Sequence, residues 1–196
     1  MKKSDNSKMA VLGLLCHKPM TGYDIKKTIA QSTGMFWSES YGQIYPTLKK
    51  LTREGLAVVQ QSERRGAASK TSYAPTAKGR NTIKTWLAQP AKTNIIRSET
   101  LLKIFFGGQA DLLLTQMHIE QELADSRQAL AVLTTVEKML AQRSNGRRNL
   151  TDFHFRLTIA YGKKSLTATV RWCKDSLRKC SEWENSERKD GVKEKT

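Results

Sequence analysis

Ile44, Leu48 and Leu51 recur at the spacing of one helical face. At about 100° per residue they fall within about 60° of one another, while Gly42, Gln43, Pro46, Lys49, Lys50 and Arg53 fall on the opposite side. That pattern predicts an amphipathic helix beginning near Tyr41 to Gln43, with Pro46 in its first turn, where a missing N–H costs no hydrogen bond. Gly55 stops it at the position where a left-handed cap is usual. Upstream, the apolar run Met9–Cys16 predicts a first helix broken by His17-Lys18-Pro19. Thr21 then caps a second helix, Gly22 to Ser32, with Asp24 in the capping-box position. Downstream, Leu56–Gln61 and Thr71–Ala74 read as two short strands around the loop Ser62–Lys70, and Thr76 opens a fourth helix that Gln89-Pro90 closes. Three helices, a two-stranded ribbon and a further connecting helix is the order of a winged helix-turn-helix.

The second half has a different rhythm. Arg97–Phe106 predicts a short apolar helix stopped by Gly107-Gly108. Ala110 to about Arg143 then keeps one seam apolar through Ile119, Leu123, Leu130, Leu133 and Leu140, with Ser126 and Glu137 as interruptions. After a polar turn at Arg143–Asn149, a last helix from Leu150 to about Trp183 carries two apolar stripes. One runs through Ile159, Gly162, Leu166, Val170, Cys173, Leu177 and Cys180, the other through Phe153, Leu157, Tyr161, Ala168 and Trp172. A helix apolar on two sides must be covered on two sides, and one other long helix covers one of them, so a second copy of the chain is expected. Leu123, Leu130, Leu133, Leu140, Leu157, Tyr161, Leu166 and Trp172 are the expected dimer contacts. The fold class is mainly α: a flexible tail over 1–7, a winged helix-turn-helix over 8–90, an all-helical dimerisation domain over 91–183 and a disordered tail over 184–196.

Charge adds a partner to this outline. The 196 residues carry 34 Lys and Arg against 18 Asp and Glu, a net charge of +16. Residues 1–90 hold 15 basic against 5 acidic side chains, a net +10, and the remainder 19 against 13, a net +6. Concentration of the excess in the winged half points to a polyanion, because neutralising phosphates releases counterions. Three cysteines without a C-x-x-C pair fit neither a disulfide framework nor a zinc site. The apolar run of eight at Met9–Cys16 is too short to span a bilayer. A cytoplasmic protein without metal, cofactor or membrane partner is expected. No nucleophile–base pair or phosphate-cradling glycine loop marks an enzyme.

The opening of the third helix supplies the chemistry for duplex DNA. A helix start presents unpaired N–H groups and the positive end of the dipole, both suited to phosphate. Gly42 leaves room for a DNA backbone, Gln43 can pair with an adenine edge, and Lys49, Lys50 and Arg53 can take phosphates or a guanine edge. Ser40, Tyr41, Tyr45 and Pro46 complete that DNA-facing set, and Arg64, Arg65 and Lys70 give the wing a basic tip for sugar and phosphate. The plain alternative treats the tyrosines as rim residues and the lysines as a solvated face. A basic winged-helix module binding structured RNA or a protein partner is the competing function.

Several stretches also resemble the PadR-like transcriptional regulators: LGLL before a proline, TGYDI, FWSESYGQIYPTLKKLTREGL, Tyr73 followed by Thr76–Arg80, and RSETLLKIFFGG. Tyr161-Gly162 and Trp172 resemble the virulence-activator-type C-terminal domain of the longer members. The resemblance implies a homodimer whose winged domains read a palindromic promoter site, most simply as a repressor. It places Tyr41, Gln43, Tyr45, Pro46 and Lys49 at the groove-facing start of the recognition helix. Pro75 departs from the Leu or Ile usual in the second wing strand, and an early strand end is expected there. Some members respond to phenolic acids or drugs and others to none. A small aromatic effector would need aromatic and basic side chains, for which Trp37, His118, His154, Arg156 and Trp172 are the available types, although a helical histidine more often packs than binds.

Overall fold

Apolar periodicity and polar caps carry through to three dimensions in a computed structural model that describes residues 3–32, 37, 39–61, 71–91, 97–144 and 149–193. The chain divides into two units, Met1–Thr93 and Asn94–Thr196, against an expected boundary at Pro90.

The first unit contains α1 (Lys3–His17), β1 (Met20–Thr21), α2 (Gly22–Ser32), α3 (Tyr41–Arg53), β2 (Ala57–Gln61), β3 (Thr71–Pro75) and α4 (Ala77–Leu87). Val11, Leu12 and Leu15 from α1, Ile25 and Ile29 from α2 and Ile44, Leu48 and Leu51 from α3 form one buried core with Met20, Leu56 and Ala57. Thr21 and Asp24 form the expected reciprocal cap of α2. The Thr21 amide and hydroxyl donate to the Asp24 carboxylate at 3.1 and 2.8 Å, and the Asp24 amide donates to the Thr21 hydroxyl at 3.1 Å. At the other end of α3, Gly55 has φ +68°, with Gly55 N–H on the Thr52 carbonyl at 3.0 Å and Leu56 N–H on the Leu51 carbonyl at 2.9 Å. These two bonds close the C-terminus as glycine's left-handed backbone allows.

Three features differ from expectation. α1 begins at Lys3 rather than Met9, within what was expected as a tail, with Ser7 buried and the Lys8 amine 3.0 Å from the Glu54 carboxylate. Long-range contacts, invisible in a polar stretch, hold this turn. The ribbon is a three-stranded antiparallel sheet of order β1-β3-β2, because Met20 and Thr21 pair with Tyr73 and Ser72. Pro75 does not shorten its strand: it is the last residue of β3, opposite Ala57, where lacking an N–H costs least.

The second unit contains α5 (Glu99–Phe105), a short 3-10 turn (Gly107–Gln109), α6 (Leu112–Ser144) and α7 (Leu150–Lys193). Ser98 caps α5 by accepting the Leu101 N–H at 3.2 Å. α6 and α7 form an antiparallel hairpin. Gln116 donates to Glu184 at 3.0 Å near the open end, and Lys163 meets Glu137 at 2.6 Å nearer the turn. Ile119, Leu123 and Cys173 are its buried centre, with Ile104, Val170, Leu177 and Cys180 half-buried around them. The two polar interruptions of the α6 seam belong to it: Ser126 is buried and Glu137 is the partner of Lys163. α7 continues to Lys193, through most of the stretch expected as a disordered tail from 184. Among the described residues no helix is long and apolar enough to cross a membrane.

Candidate nucleic-acid interface

Helix α3 separates its two faces sharply. Ile44, Leu48 and Leu51 are fully buried, whereas Tyr41, Gly42, Gln43, Tyr45, Pro46, Lys49 and Arg53 are exposed. The core side chains hold the helix, so the outer side chains are left for a ligand. Tyr41 and Tyr45, one turn apart, stack with ring centroids 6.4 Å apart and planes 21° from parallel. Together they make an aromatic ridge beside the open helix start.

Ser40 is the N-cap residue in extended geometry. Gln43, three residues on, accepts from the Ser40 N–H at 3.2 Å and the Ser40 hydroxyl at 3.3 Å. The Gln43 carbonyl is therefore engaged by the cap, and only its amide NH2 is offered outward. Pairing both donor and acceptor with an adenine edge, as expected from sequence, requires this cap to open. Pro46 also sits differently. The helix starts at Tyr41, so Pro46 is its sixth residue, in the second turn. Its missing N–H removes the usual i+4 donor to the exposed Gly42 carbonyl.

Both ends of α3 are tied down by residues that the amphipathic pattern does not single out. Ahead of it, Glu39 is buried, accepts the Trp37 indole N–H at 2.8 Å, and its backbone carbonyl accepts from the Lys26 amine at 2.6 Å. Behind it, the Glu54 carboxylate binds Lys8 and the Glu54 carbonyl accepts from Lys78 at 2.9 Å. These cations also complement the negative end of the helix dipole. Lys50, expected on the DNA-facing set, is half-buried with its amine 4.0 Å from Glu54, so Lys49 and Arg53 are the freer cations of the face. Arg64, Arg65 and Lys70 lie outside the described residues. The strands that lead to them, β2 and β3, are in register from Ala57–Pro75 to Gln61–Thr71.

The expected dimer contacts divide in two. Leu123 and Leu133 are buried, and Leu130, Leu140 and Leu166 half-buried, within a single chain. Leu123 and Leu133 are thus largely covered by their own chain, while Leu130, Leu140 and Leu166 keep part of their surface open. Leu157, Tyr161 and Trp172 stay exposed, beside Phe153.

The candidate effector residues are distributed over both units. Trp37 belongs to the first unit, where its indole is engaged by Glu39. His118 lies on α6, and Arg156 donates to the Leu140 carbonyl at 3.5 Å. Leu140 is 22 residues along α6 from His118, about 33 Å at about 1.5 Å per residue. His154 is exposed near the turn end, its Nδ1 2.8 Å from the Leu150 carbonyl, while Trp172 adjoins the buried Cys173 near the other end. Among the described residues no cluster of three His, Cys, Asp or Glu could hold a metal ion. The three cysteines are free, and burial pushes the thiols of Cys16, Cys173 and Cys180 above their ordinary value.

Residues 11–85 match the transcriptional regulator PadR-like family, and residues 96–181 match the family described as virulence activator alpha C-term. The negative transcriptional regulator PadR of Bacillus subtilis is 37% identical over 101 residues, covering 50% of this chain and 55% of that protein. The chain thus spans about half the length of this curated relative. The crystal structure of Bacillus subtilis PadR in complex with operator DNA is similar at TM-score 0.75 and 26% identity, covering 88% of this chain and 98% of that one. The structure of the same regulator with p-coumaric acid is similar at TM-score 0.67 and 25% identity, covering 92% and 98%.

Proposed function

We propose, from the chain's membership of the PadR-like family of transcriptional regulators, that it acts as a homodimeric repressor. It occupies a palindromic promoter site with one α3 in the major groove of each half-site. The observation that carries this reading is α3 itself: a helix fully buried on one side and, on the other, an exposed open start with Tyr41, Gly42, Gln43, Tyr45, Lys49 and Arg53. The N–H groups of its first turn and the positive dipole end take a phosphate. Lys49 and Arg53 extend the contact along the duplex, and Arg64, Arg65 and Lys70 add sugar and phosphate contacts from the wing.

Leu157, Tyr161, Trp172 and Phe153 form the face that a second copy covers, and twofold symmetry then sets two α3 helices about one turn of DNA apart. A small aromatic effector, in keeping with the p-coumaric acid complex of the related regulator, would draw on Trp37, His118, His154, Arg156 and Trp172. The protein is a regulator, not an enzyme.

The test is fluorescence-anisotropy titration of a duplex enriched from a random-sequence library by the full chain. Replacing Lys49, Lys50, Arg64 and Arg65 together by Ala is expected to weaken binding at least about 100-fold at physiological salt and to flatten the salt dependence by about three units. Unchanged affinity rejects the assignment. Preference for a folded RNA competitor over the duplex favours the RNA-binding alternative.

A further inference from the structure

Gly22 occupies the first position of α2, just after the cap residue Thr21. Its backbone is not in the left-handed region, so chain geometry does not call for glycine. Helix propensity favours alanine over glycine by about 1 kcal/mol in a helix interior. What calls for glycine is space. A Cβ built on Gly22 would have Tyr45 as its three nearest atoms, 2.7 Å from Cε1, 2.8 Å from Cζ and 3.1 Å from Oη. The Tyr45 ring of the recognition helix rests directly on the bare backbone of Gly22.

That backbone is not free to yield. Thr21, immediately before it, pairs with Ser72 of the wing strand β3 and is locked to Asp24 by the reciprocal cap. A side chain at residue 22 would therefore move the tyrosine. Tyr45 is 46% exposed, so one part of its ring is seated and the remainder faces outward in stack with Tyr41.

We infer that Gly22 is a positioning residue for DNA recognition: its bare backbone seats Tyr45 and, through the Tyr41–Tyr45 stack, fixes the aromatic ridge of α3 relative to the wing sheet. The inference rests on the DNA-binding reading above. It adds a residue, on another helix, that touches no DNA and acts only through Tyr45.

A double-mutant cycle on the full chain tests it, using the library-enriched duplex as probe. Gly22→Ala is expected to raise Kd about tenfold, which is about 1.4 kcal/mol, with the salt slope unchanged because no phosphate-binding cation moves. In the Tyr45→Ala background the same change is expected to alter Kd less than twofold, since the seat then has no occupant. The thermal midpoint of Gly22→Ala should stay within about 3 °C of the parent, as only one exposed ring is displaced. A binding-independent arm uses NMR: the Gly22 Hα resonances, lying against the ring, should shift on Tyr45→Ala in the free protein. Equal affinity of Gly22→Ala and parent, additive effects of the two changes, a drop in midpoint of more than about 5 °C, or unmoved Gly22 resonances each overturn the inference. A parent chain that enriches no duplex overturns the DNA-binding reading itself, and the NMR arm then still decides whether the seat exists.

Discussion

The recognition helix and the terminal hairpin solve opposite problems. In α3 Ile44, Leu48 and Leu51 are inside, and what remains outside is polar or cationic side chains, two tyrosines, Gly42 and Pro46. In the hairpin, Ile119, Leu123 and Cys173 are covered, yet Leu113, Met117, Val132, Met139, Phe153, Leu157, Tyr161 and Trp183 remain exposed, as do Leu101, Leu102 and Phe105 of α5 and Phe106 just after it. The first unit is complete as a core and open as a surface. The second leaves a broad apolar exterior open, which is the surface that the proposed second copy would cover.

That contrast can be broken most severely by placing charge on the hairpin's open stripe. Leu157→Asp combined with Tyr161→Asp would bury two unpaired carboxylates in a dimer interface, each costing several kcal/mol. Sedimentation equilibrium should then show a monomer that keeps its helical circular dichroism, and a stable dimer would show that this stripe is not the interface. Next in size is the core of the first unit. Leu48→Ala is expected to cost about 2–5 kcal/mol in chemical denaturation, whereas Leu157→Ala should leave monomer stability within about 1 kcal/mol, the side chain being 53% exposed. Equal losses at both positions would erase the distinction between the two regions.

Smaller effects sharpen the surface side of the comparison. Gln43→Ala should relax sequence preference by about 1–3 kcal/mol at one base position while leaving non-specific binding unchanged, as read by anisotropy on single-base variants of the enriched duplex. A uniform loss on every duplex would instead assign Gln43 to capping alone, the role its bonds to Ser40 show in the free chain. Gly55→Ala, at φ +68°, should lower stability by about 1–2 kcal/mol with no change in base preference; the denaturation midpoint and the same duplex panel check both halves.

Much of the first unit was legible because its signals are local. The spacing of Ile44, Leu48 and Leu51, the Thr21–Asp24 pair and Gly55 each act within a few residues, and each appears in the structure where the chain pattern puts it. Strand β1 was not legible: two residues make a strand only because Tyr73 and Ser72, some fifty positions away, lie beside them. The start of α1 depends likewise on Glu54, which binds Lys8. In the hairpin, Ser126 and Glu137 read as breaks in a seam until Lys163 and the facing helix supply the reason for them. Among the site residues, Gly42, Gln43, Pro46, Lys49, Lys50 and Arg53 could be placed on the side away from the core by helical geometry alone, whereas the groove-facing role of Tyr41 and Tyr45 came from the resemblance. The cap on the Gln43 carbonyl, the bond from Lys26 to the Glu39 carbonyl and the seat on Gly22 could not, since each depends on atoms meeting in space.

By itself the sequence determined the periodicities, the caps, the concentration of positive charge and the resemblance that together point to a winged DNA-binding head on a helical tail. Tertiary structure decided which apolar stripe of α7 is spent inside the hairpin and which is left over, and that Tyr45 stands on Gly22. The physical reason is the range of the forces: helix propensity and capping act over a turn, whereas burial and steric exclusion depend on neighbours that only the folded chain brings together.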